Sequence, residues 1–272
     1  MDDKNKEKVE AVATNSTTAI VKPTPIYQPA LFPIEIIETY PPEKDSADLS
    51  LIGKGKNSKH YAIKTIHDNN GYVPASEFFC YELARLVSIP TPDFDHLQME
   101  NGEIAFGSVW EGGVVGISVF SDMVEILTDK ILVEDLDTFL GKVFAFDLFV
   151  NNDDRHFGNY IFRDSFQKNK KIALAFDFSR AWKVNDPFGY HSTNARCNTM
   201  KYHGYILQGK KYDKASAIST LDSISQIPTA NISEILAGMH ESWMSPEDKE
   251  VIIAWWGSED FHQRIKSLMG VL

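Results

Sequence analysis

The sequence predicts an α+β protein with a bilobal arrangement, in which a small β-rich half with one helix precedes a larger, mainly helical half. Short runs of β-branched and aromatic residues occupy the first part of the chain, helical periodicity occupies the last part, and a glycine pair separates the two. A chain of 272 residues is long enough for two lobes that share a cleft. We therefore expect a flexible amino-terminal arm over residues 1–33, a small lobe over 34–111 and a large lobe over 112–272.

The β-rich half begins after the polar, proline-punctuated arm, whose composition cannot bury much apolar surface. Residues 34–40 and 61–66 predict strands, and the glycine- and lysine-rich residues 52–60 predict the turn between them. A helix is expected from about Pro74 to Ser88, because proline suits a first helical turn and the apolar residues fall on one face. Residues 103–110 predict a further strand that leads to the glycine break.

The second half shows helical patterning on both sides of a polar loop. Leu136, Leu140 and Val143 mark a long helix that runs into the loop at Asn151. Residues 171–178 form a short β-like run, and the last sixty or so residues predict helices separated by prolines.

The charge balance and the cysteines exclude several classes of protein. The 27 Lys and Arg residues against 38 Asp and Glu residues give a net charge of −11, which disfavours binding to nucleic acid or to an anionic membrane. Cys80 and Cys197 form no spacing motif, which favours a reducing compartment and argues against a zinc site built on cysteine. No signal peptide and no membrane-spanning run are visible, so we expect a cytoplasmic protein.

The polar loop 151–162, NNDDRHFGNYIF, carries the residues with the clearest chemistry. Phosphoryl transfer needs a carboxylate near the attacking hydroxyl and oxygen ligands for magnesium. Asp154 can orient the acceptor, Asn159 can ligate a metal, and Asp177 ends an apolar run in which a carboxylate is rarely left unpaired. The ordered set predicts phosphotransfer, with Asp154, His156 and Asn159 as catalytic residues and with Asn159 and Asp177 as metal ligands.

Each of these residues also has a structural interpretation. Asp154 could form a surface ion pair with Arg155, Asn159 could be a turn residue, and Asp177 could cap a helix. His156 could contact the transferring group or only hold the loop by hydrogen bonds, and we favour the second role.

Asp147 lies in the apolar run FAFDLFV, where an unpaired carboxylate would be costly. We hypothesise that it accepts hydrogen bonds from the catalytic loop, from His156 or from loop backbone N–H groups, and so fixes Asp154. The alternative is a solvent-facing position.

The loop DRHFGN at 154–159, followed by FDFSRAW at 176–182, resembles the HipA-like kinase family, bacterial Ser/Thr kinases related to toxin–antitoxin systems. The phosphoinositide lipid kinases share a similar loop more distantly. A second match is ASEFFCYELA at 75–84 followed by IPTP, with Ser76 where the family has asparagine. The resemblance covers about Ile34 to Trp182 and implies a compact protein-kinase-like fold.

The resemblance implies that Lys64 contacts the ATP phosphates and that Glu77 pairs with this lysine, with Glu82 as the competing candidate. Further nucleotide contacts are expected at Gly53, Gly55, Ser58, Ser108 and Trp110. The glycine loop, the glycine- and lysine-rich residues 52–60, departs from the G-x-G-x-x-G pattern. In the segment 177–179, Ser179 stands where protein kinases have glycine. This difference puts in doubt a flipping motion of residues 177–179 like that of the corresponding protein-kinase segment.

The expected function is that of a Ser/Thr protein kinase that uses ATP and Mg²⁺, with a protein substrate and an antitoxin-type protein partner. Residues 181–203 would form the activation and substrate segment, with phosphorylation expected at one of Ser192, Thr193, Thr199 and Ser58. The alternatives are a kinase of a small metabolite or lipid headgroup, a non-catalytic kinase-like binding module, and a metal phosphohydrolase that uses His156, Asp153 and Asp154, with His191 and His203 as further ligands.

Overall fold

The computed structural model describes residues 32–41, 51–110 and 120–272. Nearly all of the predicted amino-terminal arm and the predicted glycine break at Gly112 and Gly113 lie outside these residues. The predicted domain boundaries stay predictions.

Five strands form a closed barrel in the order β1-β2-β3-β5-β4. These strands are β1 (Ile34–Tyr40), β2 (Leu51–Gly55), β3 (His60–Lys64), β4 (Phe94–Gln98) and β5 (Ile104–Val109). The parallel pairing of β1 with β4 closes the ring, and every other pairing in the barrel is antiparallel. A small core of its own fills the barrel and includes Tyr61, Ile63 and Leu97.

Helix α1 (Val73–Leu86) leaves the barrel after β3, and Pro74 lies in its first turn. The described part of the chain then continues with α2 (Phe120–Leu127), α3 (Leu136–Phe149), the antiparallel pair β6 (Tyr160–Asp164) and β7 (Lys171–Ala175), and the helices α4 (Asn198–Gln208), α5 (Lys214–Ser225), α6 (Thr229–Gly238), α7 (Pro246–Trp255) and α8 (Glu259–Met269). The predicted α+β composition is confirmed.

A second, larger hydrophobic core extends from α1 to α8. Helix α3 lies at its centre, because it is apolar almost all round and packs against α4, α5 and α8. The ring of Phe79 in α1 stacks on Trp182 with the ring centroids 3.8 Å apart. The indole N–H of Trp243 donates to the carbonyl of Ile104 at 2.8 Å, which joins the helical part directly to β5 of the barrel.

The sequence does not predict β2 and β4. In β2, LIGKG has the composition of a turn, and its strand conformation comes from pairing with both β1 and β3. In β4, FDHLQ, only Phe94 and Leu97 are buried, so the spacing does not alternate. Of the helices described, none is long and apolar enough to cross a membrane.

Candidate active site

The candidate site is built on the loop that follows α3. The helix is buried along most of its length and ends at Phe149, and Asn151 then takes a left-handed conformation with φ of 56°. The Asn151 side chain is fully buried, donates to the carbonyl of Asp186 at 2.8 Å and accepts from the N–H of Ser192 at 2.8 Å. The start of the loop is therefore held by residues of the predicted substrate segment 181–203.

A buried ion pair fixes the middle of the loop. Asp147 is fully buried, and Arg155 donates to it from Nε at 2.8 Å and from Nη2 at 3.0 Å. The amide of Asn152 donates to the same carboxylate at 2.8 Å. Asp147 therefore accepts hydrogen bonds from the loop, as hypothesised. The donors are the side chains of Arg155 and Asn152, so the expectation of His156 or loop backbone N–H groups is wrong. The solvent-facing alternative is also wrong.

The guanidinium of Arg155 is almost fully engaged. Besides Asp147, it donates to the carbonyls of Asn159 and Phe176 and lies over the ring of Phe178 at 4.7 Å. Burial lowers the pKa of Arg155, but Asp147 outweighs this effect and raises it overall, whereas burial raises the pKa of Asp147. The two short N–H···O contacts favour a charged pair, because the charge of each partner compensates that of the other.

Asp154 lies in the loop with its side chain partly exposed. Its backbone N–H donates to Asn152 at 3.2 Å, and its carboxylate accepts from the amide of Asn198 at the start of α4. The second carboxylate oxygen is 3.4 Å from Nε of Arg180. The surface ion pair considered for Asp154 therefore forms with Arg180, while Arg155 turns inward.

His156 and Asn159 cap the single 3₁₀ turn at residues 157–159. The N–H of Gly158 donates to Nδ1 of His156 at 3.1 Å, and the N–H of His156 donates to Oδ1 of Asn159 at 3.1 Å. These reciprocal contacts are those expected of a residue that holds the loop. The catalytic role predicted for His156 stays a prediction.

Asp177 joins the loop to the barrel. Its φ of 59° turns the chain sharply after β7, and its carboxylate accepts from Nδ2 of Asn159 at 3.2 Å. Lys64 in β3 is 5% exposed, and its Nζ lies 3.5 Å from the other carboxylate oxygen of Asp177. The Ser179 hydroxyl contacts that same oxygen. Burial acts to raise the pKa of Asp177, but Lys64, Ser179 and Arg155 outweigh it and hold the pKa below its ordinary value.

Glu77 is buried beside this group, 1% exposed on α1. Among the described residues, neither of its carboxylate oxygens has a hydrogen-bond partner of good geometry. Burial, and then the charge of Asp177, raises the pKa of Glu77 to about 8, although Lys64 and the Phe178 N–H favour the ionised form. Glu82 pairs with Arg85 at 3.2 Å on another face of the helix. The charge of Lys64 thus acts on Glu77, as the predicted pairing requires. The carboxylate that lies within 4 Å of the Lys64 Nζ, however, is that of Asp177.

In the glycine- and lysine-rich segment 52–60, the two glycines are packed inside the barrel, whereas Ser58 is exposed. A Cβ atom on Gly53 would lie 2.5 Å from Cδ1 of Ile63, and one on Gly55 would lie 2.8 Å from Cγ2 of Ile34. Both glycines therefore have a packing reason inside the barrel. Ser58 is exposed at the tip of the β2–β3 turn, with φ of 66°. The predicted phosphate contacts of these three residues stay predictions.

The two residues predicted at the end of β5 differ in exposure. The hydroxyl of Ser108 lies 2.9 Å from that of Tyr81 and is directed into the core. The side chain of Trp110 is 46% exposed. Their predicted nucleotide contacts stay predictions.

Two of the hydroxyls considered for phosphorylation are structural. Ser192 is fully buried and donates to the carbonyl of Leu148 at 3.1 Å. Thr199 is 2% exposed, donates to the carbonyl of Asn152 at 2.6 Å and accepts from the N–H of Arg155 at 3.0 Å. A kinase could not reach either hydroxyl without opening the fold.

The donor set suits a magnesium ion bound together with phosphates. The carboxylate of Asp177 and the side-chain amide of Asn159 are neighbours, with Nδ2 of Asn159 facing Asp177 and Oδ1 accepting from the His156 N–H. Asn159 would have to turn its amide oxygen toward a metal ion to bind it. Mg²⁺ in kinases is held by one or two protein groups in addition to substrate phosphates. Within the described ranges, no group of three or more His, Cys, Asp or Glu residues could hold a metal. The phosphohydrolase alternative, which needs such a group, therefore has no support there.

The sequence reasoning missed several residues of the site. Asn152, Arg180 and Asn198 contact Asp147 or Asp154, and Ser179 contacts Asp177. Arg180 and Asn198 are 26 and 44 residues from Asp154, so only the folded chain brings them together.

Residues 36–254 match the family model described as HipA-like kinase. The solved structure of a Helicobacter pylori proinflammatory kinase, CtkA, has a TM-score of 0.55 and 15% identity over 81% of this chain and 93% of that chain. HipA of a Shewanella oneidensis MR-1 toxin–antitoxin system, solved with HipB and its operator DNA, has a TM-score of 0.46 and 12% identity over 81% of this chain and 58% of that chain. The likeness to CtkA shows a similar fold, and the weaker likeness to HipA carries no argument. A comparison with curated proteins gave no significant match.

Proposed function

Because this chain belongs to the HipA-like kinase family, whose model matches residues 36–254, we propose that it transfers the γ-phosphate of ATP to a serine or threonine hydroxyl of a protein. The observation that best supports this proposal is the line of contacts from Lys64 through Asp177 to Asn159, in the same loop as Asp154. A cation, a carboxylate and a side-chain amide, in one group with a partly exposed carboxylate, are the kinds of group that phosphoryl transfer uses.

We assign each residue a role that its position supports. Asp154 orients the acceptor hydroxyl and takes its proton, because its partly exposed carboxylate lies in the same loop as Asn159. Lys64 contacts the phosphates, and Asn159 and Asp177 hold Mg²⁺. When bound, this ion neutralises the charge that develops on the phosphates. His156 keeps the loop in shape through its contacts with Gly158 and Asn159.

We further infer two lobes with the nucleotide between them. Lys64 comes from the barrel, whereas the 151–159 loop follows α3 in the helical part. A ligand that contacts both would lie between the barrel and the helices. In the predicted division into residues 34–111 and 112–272, the barrel strands fall in the first part and the 151–159 loop in the second.

The test is phosphate transfer from radiolabelled Mg-ATP, measured for the wild type, Asp154→Ala and Asp177→Ala with a panel of proteins and a panel of soluble metabolites. We expect label on serine or threonine of a protein acceptor, and at least about 100-fold less in each variant. Label on a metabolite would show that the acceptor is a small molecule rather than a protein, and the proposed kinase activity would stand. ATP binding without turnover in the wild type would contradict the proposal and favour a binding module. A cytoplasmic location and an antitoxin-type partner stay predictions from the sequence.

A further inference from the structure

Arg180 belongs to the segment that follows Asp177 and contacts Asp154 of the 151–159 loop. It follows Asp177 by three residues, and its Nε is 3.4 Å from a carboxylate oxygen of Asp154. Its backbone carbonyl accepts a hydrogen bond from Nδ2 of Asn185 at 2.8 Å. The side chain is 49% exposed and that of Asp154 is 22% exposed, so the pair faces the solvent from which an acceptor would come.

Among the described residues of the site, two further cations, Lys64 and Arg155, are buried. Lys64 is 5% exposed and paired with Asp177, and Arg155 is 3% exposed and bound to Asp147 and to backbone carbonyls. Arg180 differs from both, because it combines contact with the acceptor-orienting carboxylate and access to solvent.

Stability does not account for the Arg180–Asp154 pair. An ion pair this exposed contributes at most about 1 kcal/mol to folding and is screened by salt. Phosphoryl transfer, in contrast, spreads negative charge over the equatorial oxygens of the transferring group, and a guanidinium stabilises that charge with planar, paired N–H donors.

We propose that Arg180 is a catalytic residue that contacts the transferring phosphoryl group while its Nε keeps Asp154 in place, an inference that rests on the proposed function. In this step the acceptor oxygen forms a bond to the γ-phosphorus, and the bond from that phosphorus to the β–γ bridging oxygen breaks. The acceptor proton passes to Asp154 and ADP leaves. Arg180 gains most from the charge of the transition state, so its effect falls on turnover more than on nucleotide binding.

The experiment compares Arg180→Gln and Arg180→Lys with Arg85→Gln as a matched control, because Arg85 also forms an ion pair, with Glu82 in α1. Radiolabelled Mg-ATP and dephosphorylated casein are the probes, and autophosphorylation is counted in parallel. We expect Arg180→Gln to lower kcat by about 100-fold or more, with the ATP Kd and the free energy of unfolding nearly unchanged. Arg180→Lys should keep part of the activity, and Arg85→Gln should keep all of it.

A chemical rescue separates catalysis from positioning. In Arg180→Ala, added guanidinium chloride at millimolar concentration should restore part of the turnover, whereas an equal concentration of potassium chloride should not. A kcat of Arg180→Gln equal to wild type, or a fall in kcat matched by an equal loss of ATP affinity, would overturn the role of Arg180 while Asp154→Ala still abolishes transfer. A wild type that labels neither casein nor itself nor any other acceptor would overturn the kinase reaction and the role of Arg180 together.

Discussion

Asp147 and Arg155 form the buried ion pair on which the shape of the 151–159 loop depends. Removing the charge of one partner leaves the other charged and uncompensated in the core, which typically costs about 3–5 kcal/mol. The sequence alone suggests that Asp147→Asn would reduce activity more than stability. Because the pair is buried, the substitution should also lower the free energy of unfolding substantially.

We expect Asp147→Asn to lower the free energy of unfolding in urea by about 3 kcal/mol and to reduce phosphate transfer strongly. The double variant Asp147→Leu with Arg155→Met tests the reason, because it removes both charges. It should recover part of the stability, because the carbonyls of Asn159 and Phe176 still lose their donor, and little of the activity. An Asp147→Asn protein with wild-type turnover would refute the positioning role.

Glu77 predicts a pH dependence of stability. Its pKa is raised from 4.5 to about 8, so the folded chain binds this proton more tightly than the unfolded chain does. The stabilisation is complete below the unfolded pKa and is lost as the pH rises through about 8, with a slope of up to about 1.4 kcal/mol per pH unit.

The free energy of unfolding should therefore fall as the pH rises from about 5 to about 8. The fall should be smaller in Glu77→Gln, which cannot ionise. Urea titrations across this range provide the measurement, and Glu35→Gln on the barrel surface is the control. Parallel curves for the wild type and Glu77→Gln would show that Glu77 is ionised throughout.

At the residue scale, the sequence proposes candidate site residues but few of the contacts between them. Asp154, Asn159 and Asp177 follow from chemistry and spacing, and so does a loop partner for Asp147. The partner itself, Arg155, does not, because it depends on how the loop folds back onto α3. The contact of Arg180 with Asp154 does not either, because the chain turns at Asp177, where φ is 59°, before it reaches Arg180.

At the scale of elements, helix α1 is joined to the segment that follows Asp177. Trp182 stacks on Phe79, the N–H of Val184 donates to Ser76 at 3.2 Å, and Asn70 donates to the Val184 carbonyl at 3.0 Å. These contacts hold the segment against α1. They agree with the doubt that the sequence raises, through Ser179, about a flipping motion.

We expect Trp182→Ala to lower the free energy of unfolding by about 3–5 kcal/mol, because it removes a large buried ring. It should also release the segment, so that hydrogen exchange at the Val184 amide rises more than in α5. Trp182→Phe is the matched control and should keep most of the stacking. Equal changes in exchange at both sites would point to global destabilisation instead.

The sequence predicts helices and strands correctly where the apolar residues are clearly periodic. It fails where hydrogen bonding to neighbouring strands, rather than local sequence, makes a segment a strand. Helix α1, helix α3 and strand β5 are predicted within one or two residues at most ends. Strand β2 is missed because its two glycines resemble a turn, whereas the barrel uses them to make room for side chains such as Ile63.

At the scale of the whole molecule, the larger core spans the boundary that the sequence places at residues 111–112. Residues of α1, α3 and α8 share that core, and Trp243 reaches the backbone of β5. We expect a single calorimetric unfolding transition whose van't Hoff enthalpy equals the calorimetric enthalpy. Two resolved transitions, or a barrel that melts before the helices by circular dichroism, would show that the two parts unfold independently.

Closure of the barrel through β1 and β4 also limits how this protein can meet other chains. An open five-stranded sheet would offer two rows of unpaired N–H and C=O groups, on which an extended peptide or a second copy could add a strand. The ring of five described strands presents no such row. An extended peptide therefore cannot add a strand to this barrel, and edge-to-edge aggregation through this sheet is disfavoured.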